Sequence, residues 1–175
     1  MDSNSDDFKI VTRKCKLSKR PIFEYTSCSK YINDFLRQCD NIETEIINEN
    51  NRITLKIIAG LDRIFDVSPC ETLVLYRGLK KNLPHKYLGL NKAYISTDIN
   101  LSGALYFSSD NGCVIEIHVD LNIPHIKVTN SPFIHEKEVI LPRGLFLDLL
   151  TIKSIVNNNG VTIPVYVVQA SYKEI

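Results

Sequence analysis

Residues 57–78, IIAGLDRIFDVSPCETLVLYRG, contain the change in hydrophobic pattern that decides the fold class. Before Ser68-Pro69, apolar residues recur at threes and fours, which predicts an amphipathic helix. Proline cannot continue a helix, so this helix is expected to end there. After the proline, the run TLVLY at residues 72–76 has the length and side-chain types of a strand.

Helices are predicted on the N-terminal side of this stretch. One covers residues 30–37, where Tyr31, Ile32, Phe35 and Leu36 share a face, and Thr26 or Ser27 is a candidate N-cap. A second is predicted from near Thr44 to Phe65, and the Asn-rich residues 48–51 could divide it in two. The N-terminal part of the chain is therefore expected to be helical.

Strands are predicted on the C-terminal side, as short β-rich runs separated by Gly, Pro and Asn. They cover residues 72–76, 93–96, 114–119, 139–141, 151–156 and 161–171. The last two flank Asn157-Asn158-Asn159-Gly160, a hairpin signal, because Asn and Gly tolerate the positive φ of tight turns. Helices followed by strands predict an α+β domain, and no G-x-G-x-x-G follows a strand to suggest a Rossmann phosphate loop.

Composition narrows the function classes. The chain has 175 residues, a length typical of one domain, and its net charge of +1 argues against nucleic-acid or anionic-membrane binding. Its five cysteines are an odd number without a C-x-x-C pair, so we expect reduced thiols and neither a zinc site nor a disulfide framework. No apolar run approaches the roughly 20 residues that span a bilayer, and the acidic start is unlike a signal peptide. We therefore expect a cytoplasmic protein without a metal.

The first 20 residues are predicted to form a loose basic arm, and residues 21–175 a single domain. Six basic residues fall among the twelve from Lys9 to Arg20. They could form a patch for an anionic partner or keep a solvated arm soluble, and we favour the solvated arm.

The motif Tyr76-Arg77-Gly78 ends an apolar strand. Because arginine is almost never buried without a partner, a guanidinium there points to an anionic ligand. Gly78 would let the backbone approach that ligand closely. The alternative is a surface arginine in a salt bridge.

The motif Ser96-Thr97-Asp98 ends another predicted strand. Its hydroxyl groups could orient a catalytic carboxylate by hydrogen bonding. They could equally form a turn, or the cap of a short helix through residues 102–107.

The motif Glu136-Lys137-Glu138 enters a third predicted strand. The two-residue period of a strand would put both carboxylates on one face, with Lys137 on the other. Two like charges at this spacing disfavour joint ionisation, which can equip one group as a base and the other as an electrostatic stabiliser. The alternative is a solvated strand face.

In order and spacing, these three motifs resemble those of the ADP-ribosyltransferase exoenzyme family, in its Arg, Ser, Glu class. Residues 24–37 also look like the N-terminal helix of clostridial members, and residues 138–144 look like the strand after the family's catalytic glutamate. The resemblance covers the chain from about Tyr25 to its end. It implies N-terminal helices packed on two small antiparallel sheets with an NAD cleft between them, and a single catalytic domain over residues 21–175.

The resemblance also implies how NAD would be held. Arg77 would bind its phosphates, and the backbone of Gly78 would bind the nicotinamide amide. Asn33 and Arg37, one turn apart on a helix, would contact the adenosine and phosphate end. An aromatic residue about ten positions after the serine commonly packs on the nicotinamide, and we prefer Phe107 to Tyr106.

Catalytic roles follow by the same resemblance. Glu138 would stabilise the oxocarbenium-like ribose as nicotinamide leaves, Ser96 would orient Glu138, and Thr97 would brace the cleft. Glu136 would accept the proton of an attacking guanidinium, because a glutamate at this position goes with arginine acceptors. Residues 130–135 would present the acceptor, with Phe133 as an apolar contact.

The implied activity is mono-ADP-ribosylation of an arginine on an unidentified protein by a monomeric enzyme that uses NAD as its substrate and needs no metal. The alternatives are an NAD glycohydrolase and a non-catalytic NAD-binding or protein-binding module of the same fold. Two departures from the family pattern stand out. Asp98 replaces the third serine, and His135 could make activity depend on pH between about 5 and 8.

Overall fold

The computed structural model describes residues 20–39, 51–128 and 137–173. The rest of the chain, including residues 1–19 of the predicted basic arm and residues 44–50 of the predicted second helix, lies outside this description. The described residues form three α-helices, one 3-10 turn at Pro84–Lys86 and eight strands. The helices are α1 (Arg20–Gln38), α2 (Arg52–Phe65) and α3 (Leu101–Phe107), and the strands are β1 (Leu73–Leu79), β2 (Gly89–Asn91), β3 (Ile95–Asp98), β4 (Cys113–Val119), β5 (Ile126–Lys127), β6 (Glu138–Leu141), β7 (Leu145–Val156) and β8 (Thr162–Ser171).

Helix α1 begins well before the predicted 30–37 segment and is kinked at Cys28, whose φ is −137°. The N-cap expected at Thr26 or Ser27 was wrong. Both hydroxyl groups donate back to the Phe23 carbonyl, and the Cys28 thiol contacts the Glu24 carbonyl. Such back-bonding competes with the helical ladder and bends helices.

Helix α2 packs on α1 and on the end of the sheet. Its buried apolar residues were all predicted from their helical spacing, and they are Ile57, Ile58, Leu61, Ile64 and Phe65. Ile53, predicted with them, is 73% exposed. The buried side chains form one core cluster with Tyr25, Ile32 and Leu36 of α1. The two helices therefore cover the part of the sheet that carries β3 and β6.

The described strands form one mixed sheet in the order β2-β7-β8-β4-β1-β3-β6-β5. Strands β4 and β8 run parallel, and the other paired strands run antiparallel. Between β1 and β3 the register contains one residue pair, Tyr76 opposite Asp98. The predicted α+β class is confirmed. The prediction of two separate antiparallel sheets needs correction, because this pair joins them into one and β8 lies parallel to β4.

The predicted hairpin at residues 157–160 connects β7 to β8. Gly160 has a φ of +77°, and the Asn157 side-chain oxygen accepts hydrogen bonds from the backbone N–H groups of Asn159 and Val161. Strands β2 and β5 were not predicted, because they have three and two residues and show no alternating pattern.

None of the described helices is both long and apolar enough to cross a membrane.

His125, just before β5, is buried with its Nε2 atom 3.2 Å from a Glu71 carboxylate oxygen. Burial lowers the pKa of His125 below its ordinary value of 6.5. The unfolded chain therefore binds a proton more readily than the folded one, and stability is lost as the pH falls through about 6.5. We expect the free energy of unfolding in urea to fall between pH 7.5 and pH 5.5, and this fall to shrink in His125→Gln. An unchanged pH dependence in that variant, matching the exposed control His85→Gln, would contradict this account.

Candidate active site

A cavity of about 310 Å³ lies where β1 meets β3. Strands β1, β3 and β6 and helices α1 and α3 contribute to its wall. The lining residues are Thr26, Ser29, Tyr76, Arg77, Gly78, Lys80, Ser96, Thr97, Asp98, Ala104, Phe107 and Glu138. The three motifs singled out in the sequence thus contribute residues to one cavity.

Arg77 is held across the junction of β1 and β3. Its Nη1 group donates a hydrogen bond to the Ser96 carbonyl, and its guanidinium lies 4.9 Å from the centre of the Tyr87 ring. Its buried Nε atom has no hydrogen-bond partner among the described residues. Burying an unpaired N–H of a charged group is costly, so this position of the guanidinium carries an energetic penalty.

Gly78 packs directly against helix α3. A Cβ atom at this position would lie 1.9 Å from the Ala104 carbonyl oxygen. The absence of a side chain therefore allows α3 to approach β1 and to form one wall of the cavity.

Gly78→Ala is expected to lower the free energy of unfolding by roughly 3 kcal/mol. The added methyl group would clash with backbone atoms, which cannot move away as a flexible side chain could. Gly160→Ala is the matched control. Gly160 has a positive φ but nothing within 4 Å of an added Cβ, so only backbone strain of roughly 1 kcal/mol is expected there. Equal losses in urea unfolding would show that packing against α3 is not what requires glycine at position 78.

Ser96 and Glu138 lie on the same face of the β3–β6 pair. Ser96 is opposite Ile140, and Glu138 is opposite Asp98, so Ser96 and Glu138 are diagonal neighbours. Such neighbours are roughly 7–8 Å apart at Cα, within reach of a long side chain. Both line the cavity.

Thr97 faces away from Ser96 along β3, as the two-residue period requires. Its hydroxyl group donates to the Val139 carbonyl at 2.7 Å and is buried. This bond ties β3 to β6, a location consistent with the bracing role predicted for Thr97.

Asp98 is 7% exposed, and its Oδ1 atom accepts the backbone N–H of Asn100 at 2.6 Å. Its carboxylate also lies against Gly103 of α3, where a Cβ would approach Oδ2 to 2.1 Å. Burial raises the pKa of Asp98, while the Asn100 hydrogen bond and the charge of Lys137 oppose that shift. The residue that departs from the family's third serine thus anchors the start of α3.

Of the two aromatic candidates on α3, Phe107 lines the cavity and Tyr106 does not. Tyr106 is 79% exposed, and the two rings meet edge to face with their centres 5.5 Å apart. Phe107 is therefore the one placed to contact a ligand in the cavity.

Asn33 and Arg37, predicted to contact the adenosine and phosphate end of NAD, do not line the cavity. Asn33 is buried and its amide nitrogen donates to the Tyr25 hydroxyl at 2.9 Å. Arg37 is exposed and pairs with Asp34 at 3.0 Å. The helix turns Asn33 toward Tyr25 and Arg37 toward solvent.

Glu136 and Phe133 fall outside the described residues, as does the rest of the predicted acceptor loop, residues 130–135. Their predicted roles stay predictions.

The sequence did not single out several residues at the site. Thr26 and Ser29 reach the cavity from the kinked part of α1, and Lys80 follows Arg77 by three residues. Tyr87 lies under the Arg77 guanidinium. A signal existed for Lys80 alone, as a second cation just after the strand-end arginine.

Within the described ranges, no group of three or more His, Cys, Asp or Glu side chains could hold a metal ion.

Comparison with known proteins gives matches at the level of structure. No family model matches the sequence, and no curated protein matches it. Plx2a, an ADP-ribosyltransferase toxin from Paenibacillus larvae, superposes with a TM-score of 0.70 at 21% identity, covering 96% of this chain and 92% of that one. C3stau2 from S. aureus, solved with NAD, gives a TM-score of 0.70 at 17% identity, with 97% and 95% covered.

A third similar structure is the enzymatic component C2-I of the C2-toxin from Clostridium botulinum. Its TM-score is 0.71 at 19% identity, and the match covers 99% of this chain but 47% of that one. The fold predicted from the sequence motifs is thus confirmed, and this chain has the fold of the C3-type and C2-type ADP-ribosyltransferase toxins.

Proposed function

We propose that the chain is a mono-ADP-ribosyltransferase that moves ADP-ribose from NAD to an arginine side chain of a protein, with release of nicotinamide. The observation that carries this proposal is the convergence of Arg77, Ser96 and Glu138 on one cavity. The toxin fold supports it, and one structure of that fold was solved with NAD.

In this proposal Arg77 binds the pyrophosphate of NAD. A guanidinium offers several N–H donors in a fixed fork that matches phosphate oxygens, and its charge is permanent. Arg77 lines the cavity, so its guanidinium is placed to donate to such an anion. Lys80, on the same wall, would add a second positive charge.

Glu138 would stabilise the ribose while the bond between its C1′ atom and the nicotinamide nitrogen breaks. The bonding electrons leave with nicotinamide, which becomes neutral, and positive charge develops on the ribose. A carboxylate fixed beside that charge lowers the barrier. Phe107 at the cavity wall would pack on the nicotinamide ring.

A nitrogen of the acceptor guanidinium would then attack C1′, and its proton would pass to Glu136. An unaided arginine does not ionise near neutral pH, so a carboxylate must take that proton during the attack. The choice of arginine as acceptor rests on Glu136 in the sequence. Phe133 would contact the acceptor protein, and the chain would act as a monomer.

The proposal is tested by incubating the protein with NAD radiolabelled in its adenylate part, with and without a protein extract. We expect nicotinamide release and labelled protein. Equal nicotinamide release without labelled protein would identify a glycohydrolase, and no release at all would identify a non-catalytic module.

Arg77→Lys is expected to raise the KM for NAD roughly 10- to 100-fold with a smaller change in kcat, because a hydrogen bond to a charged group contributes roughly 1.5–3 kcal/mol. Lysine keeps the charge but loses the fork. Arg63→Lys, on the exposed side of α2, is the control and should leave both constants unchanged. A KM equal to that of the wild type in Arg77→Lys would remove Arg77 from phosphate binding.

A further inference from the structure

The hydroxyl group of Tyr25 is buried on α1 near Ser96, one of the residues assigned to the site. The Tyr25 side chain is 0% exposed. Its oxygen accepts a hydrogen bond from the Asn33 amide at 2.9 Å, and the Ser96 side chain is close enough to influence it. Ser96 lines the cavity together with Arg77 and Glu138, the groups proposed to handle NAD.

The Tyr25 ring is fixed by its packing on Tyr94. The two rings meet edge to face at 80°, with their centres 5.4 Å apart. Tyr94 is itself stacked on Phe65, and its hydroxyl donates to Asp62 Oδ1 at 2.6 Å. Tyr25 is therefore held by α2 as well as by its own helix, so its hydroxyl has a defined position.

The donor and acceptor atoms of these side chains limit the direction of the hydrogen bonds. The Asn33 NH₂ group can only donate, so the Tyr25 oxygen accepts from it. Burial raises the pKa of Tyr25, so the phenol keeps its own proton. If that proton is donated to the Ser96 oxygen, the Ser96 hydroxyl proton is left for an acceptor on the same strand face, where Glu138 lies.

We propose that Tyr25 is a positioning residue that turns the Ser96 hydroxyl toward Glu138 through an ordered donor chain, Asn33 to Tyr25 to Ser96 to Glu138. The inference rests on the proposed function, because it assigns the purpose of this chain to the Glu138 carboxylate. It extends the site to a buried residue on α1 that does not itself line the cavity.

The test compares Tyr25→Phe with Tyr94→Phe in steady-state NAD cleavage, measured as nicotinamide release. Both variants keep a buried ring and lose one hydroxyl group. We expect Tyr25→Phe to lower kcat roughly tenfold with little change in the KM for NAD, since the lost hydrogen bond orients a catalytic group and does not bind substrate. Tyr94→Phe should lose stability but keep its kcat, because its hydroxyl bonds to Asp62 and not to Ser96.

A double-mutant cycle shows whether Tyr25 acts through Ser96. In a Ser96→Ala background, Tyr25→Phe should have no further effect on kcat. Asn33→Asp provides a second variant, because the new carboxylate would accept the Tyr25 proton and withdraw it from Ser96. It should reproduce the loss of kcat even if Tyr25→Phe folds poorly.

The outcomes separate the two proposals. A wild-type protein that releases no nicotinamide contradicts the proposed function and removes this inference with it. An active wild type with kcat unchanged in both Tyr25→Phe and Asn33→Asp overturns the inference alone. The inference is also overturned if Tyr25→Phe lowers kcat by the same factor in the wild-type and in the Ser96→Ala background.

Discussion

Glu138→Gln is expected to lower nicotinamide release from NAD by roughly 10³-fold and to abolish protein labelling with it. The substitution keeps the size of the side chain and its place on β6 but removes the negative charge beside the ribose. Removing one fixed electrostatic stabiliser of a transition state costs roughly 10²- to 10³-fold in kcat. Glu138 lines the cavity across from Asp98, so the charge is lost where the ribose is proposed to lie.

The control for Glu138→Gln is Asp148→Asn on β7, which removes a carboxylate that pairs with Lys173 at 3.2 Å and does not line the cavity. It should keep full activity. NAD binding by Glu138→Gln, followed by calorimetry, should survive because Arg77 is intact. Undiminished nicotinamide release in Glu138→Gln would mean that the glycosidic bond is broken by some other group.

Glu136→Gln is expected to lower the rate of ADP-ribose transfer to arginine at least roughly 10²-fold. Nicotinamide release by hydrolysis of NAD should continue. Proton transfer by a positioned side chain contributes roughly 10²- to 10⁴-fold. Water needs less help than a guanidinium, whose proton is not lost unaided near neutral pH. The two activities are measured in one reaction, as labelled protein and as free nicotinamide.

Glu138→Gln serves as the comparison for Glu136→Gln, because it should remove both activities together. If Glu136→Gln also lowers both equally, the division of roles between the two glutamates is wrong. If it lowers neither, the arginine acceptor loses its support.

The fold class could be predicted because the sequence changes its period at Ser68-Pro69. The buried face of α2 follows from the helical period before that point, and the hairpin at residues 157–160 follows from its Asn-rich turn with Gly160. The kink at Cys28 could not be predicted, since Thr26 and Ser27 fit an N-cap as well as they fit back-bonding within a longer helix. Strands β2 and β5 depend on partners distant in sequence, so their own residues carry little signal.

Some residues of the candidate site could likewise be predicted from the sequence, and others could not. Arg77, Ser96 and Glu138 could be named because each ends or begins a strand within a short motif, and the structure brings them to one cavity. The resemblance implied that Asn33 contacts NAD, and the sequence itself carries no signal for the direction of this side chain. Its amide donates to Tyr25, a contact that depends on the tertiary packing of α1.

Site-mapping mass spectrometry tests the central claim most directly. Wild-type protein and Glu138→Gln are each incubated with NAD and a cell extract, and the modified peptides are identified. The account predicts ADP-ribose on arginine side chains of one or a few proteins with the wild type, and none with Glu138→Gln. Unmodified proteins and unconsumed NAD with the wild type would contradict it.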